Sequence, residues 1–453
     1  MAKKYVIHTQ QAENRFPPPG KYLVTRGDLC INCGKCVVRC LYEVHRRSQA
    51  DYRKMDDPLS YNCKRCLSCI QGCPREALSI SLDPDFEKLG DSVFTPDIIA
   101  ALLKQAESGQ TPVSGGGYGG LFAGCGFDAM WTDMSEIVRP TRDGIHGREY
   151  ISTAVNIGRK MLDVKEVTFD EEGNPRFNIP PTVEIDLPIL FDTIPLSLKS
   201  PNFLEAVCRA SSILGTFAIV ERRNISQALS SYESNIIESL NMEDMSWKEL
   251  KEAAEGRSIL EVRYSSSVAA LPEALKKVNP DLIVMARLEE DEDTAGKTEE
   301  MYRNGIDVIH IRSDKNLPDT ISAAHRRLVS MKIRDTVTIV ASGAIAEASH
   351  VPKSIILGAD AVAIATPLLL AAECTLCGKC RLTPPGKCPK DLEEPDPRWA
   401  GLRIINLMAA WHNQLLEILG AMGMREVERL RGEVGRAMFK EQLDEEFNRR
   451  KQV

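Results

Sequence analysis

Twelve of the fourteen cysteines in this 453-residue chain fall into three runs whose spacing suits iron–sulfur ligation. The first reads Cys30-x2-Cys33-x2-Cys36-x3-Cys40, and the second reads Cys63-x2-Cys66-x2-Cys69-x3-Cys73 followed by Pro74. Such short spacings let three thiolates wrap one corner of a cubane while the fourth crosses to a neighbouring cluster. On this pattern Cys30, Cys33, Cys36 and Cys73 hold one 4Fe-4S cluster, and Cys63, Cys66, Cys69 and Cys40 hold another. A third run, Cys374-x2-Cys377-x2-Cys380-x7-Cys388 followed by Pro389, offers four more thiolates for one further cluster. Zinc is the competing chemistry. Paired zinc knuckles also use Cys-x2-Cys elements but need only four ligands per ion, so the duplicated order of eight favours clusters in the first two runs. For the third run a structural zinc ion stays open.

The duplicated order is the two-cluster bacterial ferredoxin pattern. It departs from that pattern in having Leu41 rather than proline after Cys40 and 22 residues between the runs. The insertion, with Tyr42, His45, Arg46, Arg47 and Arg53, reads as a surface loop; its basic residues either dock an acidic electron carrier or form a solvated face. Cys208, within Phe203, Leu204, Ala206 and Val207, reads as a small core residue, and Cys125 among glycines has no assignable role. So many cysteines without a secretory leader mean redox or metal chemistry rather than disulfides. Met1 to Tyr5 runs into Gln10, Gln11, Glu13 and Arg15 instead of an apolar stretch. The longest apolar run, Ala361 to Ala372, is 12 residues long and contains Pro367, short of the ~18 to 20 that span a bilayer. A cytoplasmic protein with no membrane span is expected. The net charge of -7 argues against a nucleic-acid partner.

The elements that would position this chemistry begin near residue 182, where short β-like runs alternate with helical patterns. Candidate strands are Leu187 to Ile194, Thr216 to Val220, Asn235 to Glu238, Ile259 to Val262, Leu282 to Ala286, Val308 to Ile311, Val337 to Ala341 and Ala361 to Ala365. Helical segments fall between them, clearest at Phe203 to Leu214, Leu271 to Val278, Ile321 to Met331 and Lys353 to Leu357. Eight strands at this spacing predict a (β/α)8 TIM barrel, an α/β fold whose chemistry sits at the C-terminal strand ends, often with a phosphate held after strands seven and eight. Ser342-Gly343-Ala344 follows the seventh strand, where glycine permits close approach to an anion. Ala365 and Thr366 end the eighth, after Gly358-Ala359-Asp360. The run Ser114 to Gly120 lacks a preceding apolar strand, so it reads as a flexible linker or a close-packed surface rather than a phosphate cradle. An arm follows, from Trp131 through Arg139, Arg142, His146 and Arg148. Amphipathic helices from about Gly401 to Arg450 are expected to pack on the barrel.

Residues 130 to 435 resemble the FMN-binding synthase domain of glutamate synthase. The resemblance rests on Ile185-Asp186-Leu187-Pro188-Ile189, Leu214-Gly215-Thr216 and Ser342-Gly343-Ala344. Leu357 to Val362, Ala365-Thr366-Pro367 running into a cysteine cluster, and Leu419-Gly420-Ala421-Met422-Gly423 add to it. It implies FMN across the barrel mouth, with the phosphate on Ser342, Gly343, Ala344, Ala365 and Thr366 and the third cluster beside the flavin. It also implies reduction of 2-iminoglutarate, formed from 2-oxoglutarate and ammonia, by the reduced flavin. Three departures stand out. Four cysteines replace the family's three-ligand set. Tyr264 to Ala269 replace a glycine- and lysine-rich loop, so Arg263 either takes the place of the lysine near the flavin or forms an ordinary salt bridge. Glu221-Arg222-Arg223-Asn224 replace another glycine-rich loop, and those two arginines are candidates for an anionic substrate. Ala2 leaves no N-terminal nucleophilic cysteine for glutamine hydrolysis, so ammonia would come from solution or a separate subunit.

The expected organisation is an α+β ferredoxin-like module over 1–90, a linker and arm over 91–181, the FMN barrel over 182–372, the third cluster segment over 373–398 and C-terminal helices over 399–453. The expected function is that of a glutamate synthase-like, ferredoxin-dependent oxidoreductase fed by an electron-donor protein. The alternative is an electron-transfer subunit of a larger redox complex, in which FMN joins one- and two-electron carriers.

Overall fold

A computed structural model describes residues 5–111, 127–132, 151–160, 168–176, 180–194, 200–241, 245–265, 269–381 and 387–451. Ser114 to Gly120, Cys125, and the arginines and histidine of the arm at 139–148 lie outside them.

Eight parallel strands close into a barrel in sequence order: β1 (Ile189–Phe191), β2 (Ala218–Glu221), β3 (Ile236–Leu240), β4 (Ile259–Arg263), β5 (Ile283–Leu288), β6 (Val308–Ser313), β7 (Thr338–Gly343) and β8 (Ala361–Ile364). The seam pairs Val362 with Ile189 and Ile364 with Phe191. Each strand falls on a stretch expected from the apolar pattern. The strands are rich in β-branched residues and β5 is buried throughout its six positions, as parallel strands covered on both faces require. Helices follow most strands and take their boundaries from local capping. Ser200 accepts from the Phe203 N–H with Pro201 at the first turn, and Ser246 with Glu249 forms a reciprocal capping box ahead of Trp247–Gly256. Between β2 and β3 the connection is 3-10, Gln227–Asn235.

The bottom of the barrel is covered by an antiparallel ribbon, Val155–Gly158 with Thr182–Ile185. It is tied to the start of β7, where the Thr338 hydroxyl donates to Gly158 O and accepts from Gly158 N–H. The helix Pro397–Ala421 packs against Pro201–Ile213 and Pro96–Ser108, which sets the expected C-terminal packing on the barrel. The last helix, Lys440–Lys451, is exposed from Glu441 to Glu446. Cys208 is fully buried, as read from its apolar neighbours, and burial pushes its thiol up to about 12. Among the described residues no helix is long and apolar enough to cross a membrane.

The N-terminal part is a separate small layer. Tyr22–Arg26 pairs antiparallel with Leu78–Leu82, and between them lie two short helices in mutual contact, Lys35–Arg39 and Ser68–Gln71. Ahead of this layer an extended segment crosses the long helix. Asn406 bonds both backbone groups of Gln10, and the Trp399 indole donates to Glu13 O. Buried Arg403 donates to Ala12 O, Asn14 Oδ1, Ala371 O and Leu103 O.

Candidate functional site

The three cysteine runs fold alike. In each, the residue two after the first cysteine has a left-handed backbone, with φ of 53° at Asn32, 55° at Arg65 and 50° at Leu376. The residue two further on repeats it, at 75° for Gly34, 61° for Leu67 and 71° for Gly378. Single non-glycine residues rarely adopt this conformation, and here it bends the chain so that a backbone N–H meets sulfur. The N–H of Asn32 lies 3.4 Å from Cys30 Sγ, that of Arg65 3.4 Å from Cys63 Sγ and that of Leu376 3.4 Å from Cys374 Sγ. A short helical turn starts directly after each second left-handed residue.

Cys30, Cys33, Cys36 and Cys73 line one hollow, together with Arg26 and Met55. The Ala77 N–H, 3.3 Å from Cys73 Sγ, holds that thiol below its ordinary value. Burial, together with the nearby thiols Cys40 and Cys63, pushes Cys69 up. Burial pushes Cys374 up to about 12, with Cys388, Cys377 and Cys380 all close enough to act on it. Among the described residues no three His, Cys, Asp or Glu side chains converge on a point as ligands of a single ion do. The insertion folds back on the first run: Arg47 donates to Asn32 O, Cys33 O and Tyr52 O and stacks on the Tyr52 ring.

At the C-terminal end of the barrel, five strands contribute to one buried polar network. Arg287 on β5 grips Asp192, just past β1, through two bonds of 2.6 and 3.1 Å, and lies 3.6 Å from Glu261 on β4. Glu261 faces His310 Nδ1 on β6 at 2.5 Å and accepts from the Ser239 hydroxyl on β3 at 2.8 Å. His310 Nε2 lies 2.8 Å from Ser342 Oγ on β7. Glu261, His310 and Ser342 are all fully buried. Burial alone would raise the Asp192 carboxyl, but Arg287, His310 and Arg312 outweigh it and hold it well below the usual carboxylate range. The same balance holds Arg287 above its ordinary value, Asp192 and Glu261 overcoming the cost of desolvation.

The phosphate candidates divide. Ala365 and Thr366 are half-buried at the end of β8 and stay accessible. Ser342 is committed to His310. Ala344 N–H donates to Ser313 O, Ile345 N–H to Gly343 O and Ala346 N–H to His350 Nδ1, so three successive donors after β7 are satisfied internally. Gly343 has φ of 116°, and a Cβ there would stand 2.1 Å from Ser313 O. Its glycine is required by packing against β6 rather than by an approaching anion. Asp360 lies at the opposite end of β8 from the mouth and is structural: it accepts from Arg334, Arg431 and the Ile339 N–H.

The arginines divide as well. Arg222 and Arg223, expected near an anionic substrate, are paired with Glu238 and Glu221. Arg263, beside Arg287 in the register, is exposed and meets no carboxylate among the described residues. Sequence reasoning missed the Asp192, Arg287, Glu261 and His310 network. The available signal was the presence of charged residues inside runs otherwise reading as buried strand.

Residues 305–425 match the conserved region in glutamate synthase. The chain is 25% identical to the archaeal-type glutamate synthase (NADPH) of Dehalococcoides mccartyi, over 91% of this chain and 94% of that protein. It is 26% identical to the archaeal glutamate synthase (NADPH) of Archaeoglobus fulgidus, over 90% and 91%. Low identity over nearly the whole length of both chains is distant homology to the archaeal-type glutamate synthases. Among solved structures, a mandelate oxidase variant with an FMN adduct aligns with a TM-score of 0.41 and 16% identity, covering 62% of this chain and 87% of that one. A lactate oxidase of Pediococcus acidilactici aligns with a TM-score of 0.40 and 10% identity, over 60% and 81%. The barrel rests on its own strand order, not on these two.

Proposed function

We propose that the chain is an iron–sulfur flavoprotein oxidoreductase of the glutamate synthase kind, passing electrons from three 4Fe-4S clusters to FMN for reduction of 2-iminoglutarate or a related compound. The observation that carries this reading is the common conformation of the three cysteine loops, each with a backbone N–H turned onto its first sulfur. Hydrogen-bond donors turned onto sulfur in this way are the surroundings that tune a metal-ligating cysteine. Cys30, Cys33, Cys36 and Cys73 hold one cluster, Cys40, Cys63, Cys66 and Cys69 the second, and Cys374, Cys377, Cys380 and Cys388 the third. The names of the relatives, all glutamate synthases, support the chemistry assigned to the barrel.

The barrel residues fit a flavin phosphate in part. Ala365 and Thr366 receive it at the end of β8, and Ser342, Gly343 and Ala344 form the wall beside them, with the Ser342 hydroxyl and the Ala344 N–H already engaged. Bound FMN supplies the exchange between one-electron and two-electron chemistry. Arg263 supplies positive charge at the mouth, for the flavin or for a substrate carboxylate. Electrons come from a donor protein or from partner subunits, and ammonia from solution or a separate subunit.

A second reading, an electron-transfer subunit with no substrate of its own, is favoured by one observation: side chains of five strands already occupy the barrel mouth and satisfy one another. An anaerobic census of iron, sulfide and flavin, followed by addition of 2-oxoglutarate and ammonia to the dithionite-reduced protein, tests both. The first reading expects about twelve irons and one FMN per chain, flavin reoxidation and new glutamate. Clusters and flavin without reoxidation favour the second, and a chain reconstituted anaerobically that binds no iron sinks both.

A further inference from the structure

The insertion between the first two cysteine runs and the helix Lys35–Arg39 form a groove that reaches a thiol of each N-terminal set, Cys33 and Cys40. Four cations line it: Lys35, Arg39, Arg46 and Arg47. Its carboxylate is Glu43, 3.5 Å from Arg46 and highly exposed. The chain as a whole carries a net charge of -7, so this concentration of positive charge runs against the overall balance. Val38 in the groove is 87% exposed and Tyr52 76%, and Leu41 next to Cys40 is 88% exposed. Apolar side chains open to water within a cationic rim are the pattern of a transient protein contact. The other side of the same layer is turned inward, where Cys63 and Tyr61 share a hollow with Phe16, Leu103 and Lys104.

We propose that this groove is the docking face for an acidic one-electron carrier protein, which delivers electrons to the outer pair of clusters. The assignment rests on the iron–sulfur reading above. Val38 and Tyr52 provide the apolar contact. Lys35, Arg39 and Arg46 steer the partner and fix its register, a role exposed charges fill better than that of adding affinity. Arg47 acts differently: its bonds to Asn32 O and Cys33 O pin the insertion to the first run, so the cationic rim and the thiols move as one surface.

The test uses the full chain with its clusters reconstituted and a small acidic ferredoxin as the probe. Wild-type protein is expected to bind it with an affinity that falls as salt rises, since the Debye length shortens from ~10 Å at 0.1 M toward 3 Å at 1 M. The Lys35→Glu/Arg46→Glu double variant should bind about 10-fold more weakly, mainly through a slower on-rate, with unchanged iron content and visible spectrum. A Lys248→Glu/Lys251→Glu pair, on the helix Trp247–Gly256 of the barrel, should bind as wild type does. Unchanged affinity in the first variant, or equally tight binding of a basic carrier such as cytochrome c, overturns the docking face while leaving the clusters standing. A wild-type chain that takes up no iron overturns the functional reading beneath it. Self-association through this face, seen as dimers that the double variant breaks, also overturns the proposal, because the occupant is then a second copy.

Discussion

At the scale of single residues, the buried network at the barrel mouth is the feature with most at stake. Removing one member strands the others: Glu261→Ala leaves His310 Nδ1 and the Ser239 hydroxyl without a partner and Arg287 short of a counter-charge. A loss of about 3 to 5 kcal/mol is expected, as for other broken buried ion pairs, readable in urea unfolding; a loss within the scatter of surface variants would show that water replaces the carboxylate. Histidines set the acid side of the stability profile. Burial lowers His350 to about 3 and His412 and His325 to about 4, below the ~6.5 of an unfolded chain. A histidine depressed in this way binds its proton more readily when unfolded. Its contribution is therefore complete above about pH 6.5 and is lost as pH falls toward the folded value. The urea midpoint should fall steadily from pH 6.5 to about 4, and less steeply in His412→Gln; parallel profiles for the two proteins would remove His412 from the account.

At the scale of elements, the third cysteine loop is separable from the first two: on the proposed ligation those two exchange Cys40 and Cys73, whereas the third draws all its thiolates from its own run. A Cys374→Ala/Cys388→Ala variant should keep the two N-terminal clusters and lose about four of about twelve irons. Unchanged iron would mean that the third run holds none. These loops were legible in the sequence because the cysteines of each run are neighbours along the chain. The eight strands were legible for a related reason, apolar runs between turn residues. The network of Asp192, Glu261, Arg287, His310 and Ser342 was not: its members sit on different strands, each looks like an isolated polar residue locally, and only closure of the barrel joins them. Likewise Gly343 reads as an anion turn in isolation, but its role comes from Ser313 on the adjacent strand. Helix Pro96–Ser108 went unread although Thr95-Pro96 and Gly109 bracket it with ordinary start and stop signals.

At the scale of the whole molecule, Arg403 is the junction. Its guanidinium satisfies acceptors from the extended N-terminal segment, helix Pro96–Ser108 and the turn that leads to Cys374. Arg403→Met should cost about 3 kcal/mol or more, because several buried acceptors lose their donor together. It should also open residues 5–16 to limited proteolysis while the barrel stays folded; resistance equal to wild type would show that Asn406 and Trp399 hold the segment alone. Arg15, at the end of that segment, bonds Glu373 through its N–H and its guanidinium, directly before Cys374. Residues near the start of the chain thus complete the surroundings of a loop translated some 360 residues later. That ordering bears on biogenesis. On the proposed ligation, the first two cysteine runs can be filled while the barrel is still being made, whereas the third acquires its full surroundings only once the long helix has emerged and captured the waiting segment. Iron loading of this chain should proceed in two stages, with the second gated by the completion of the fold.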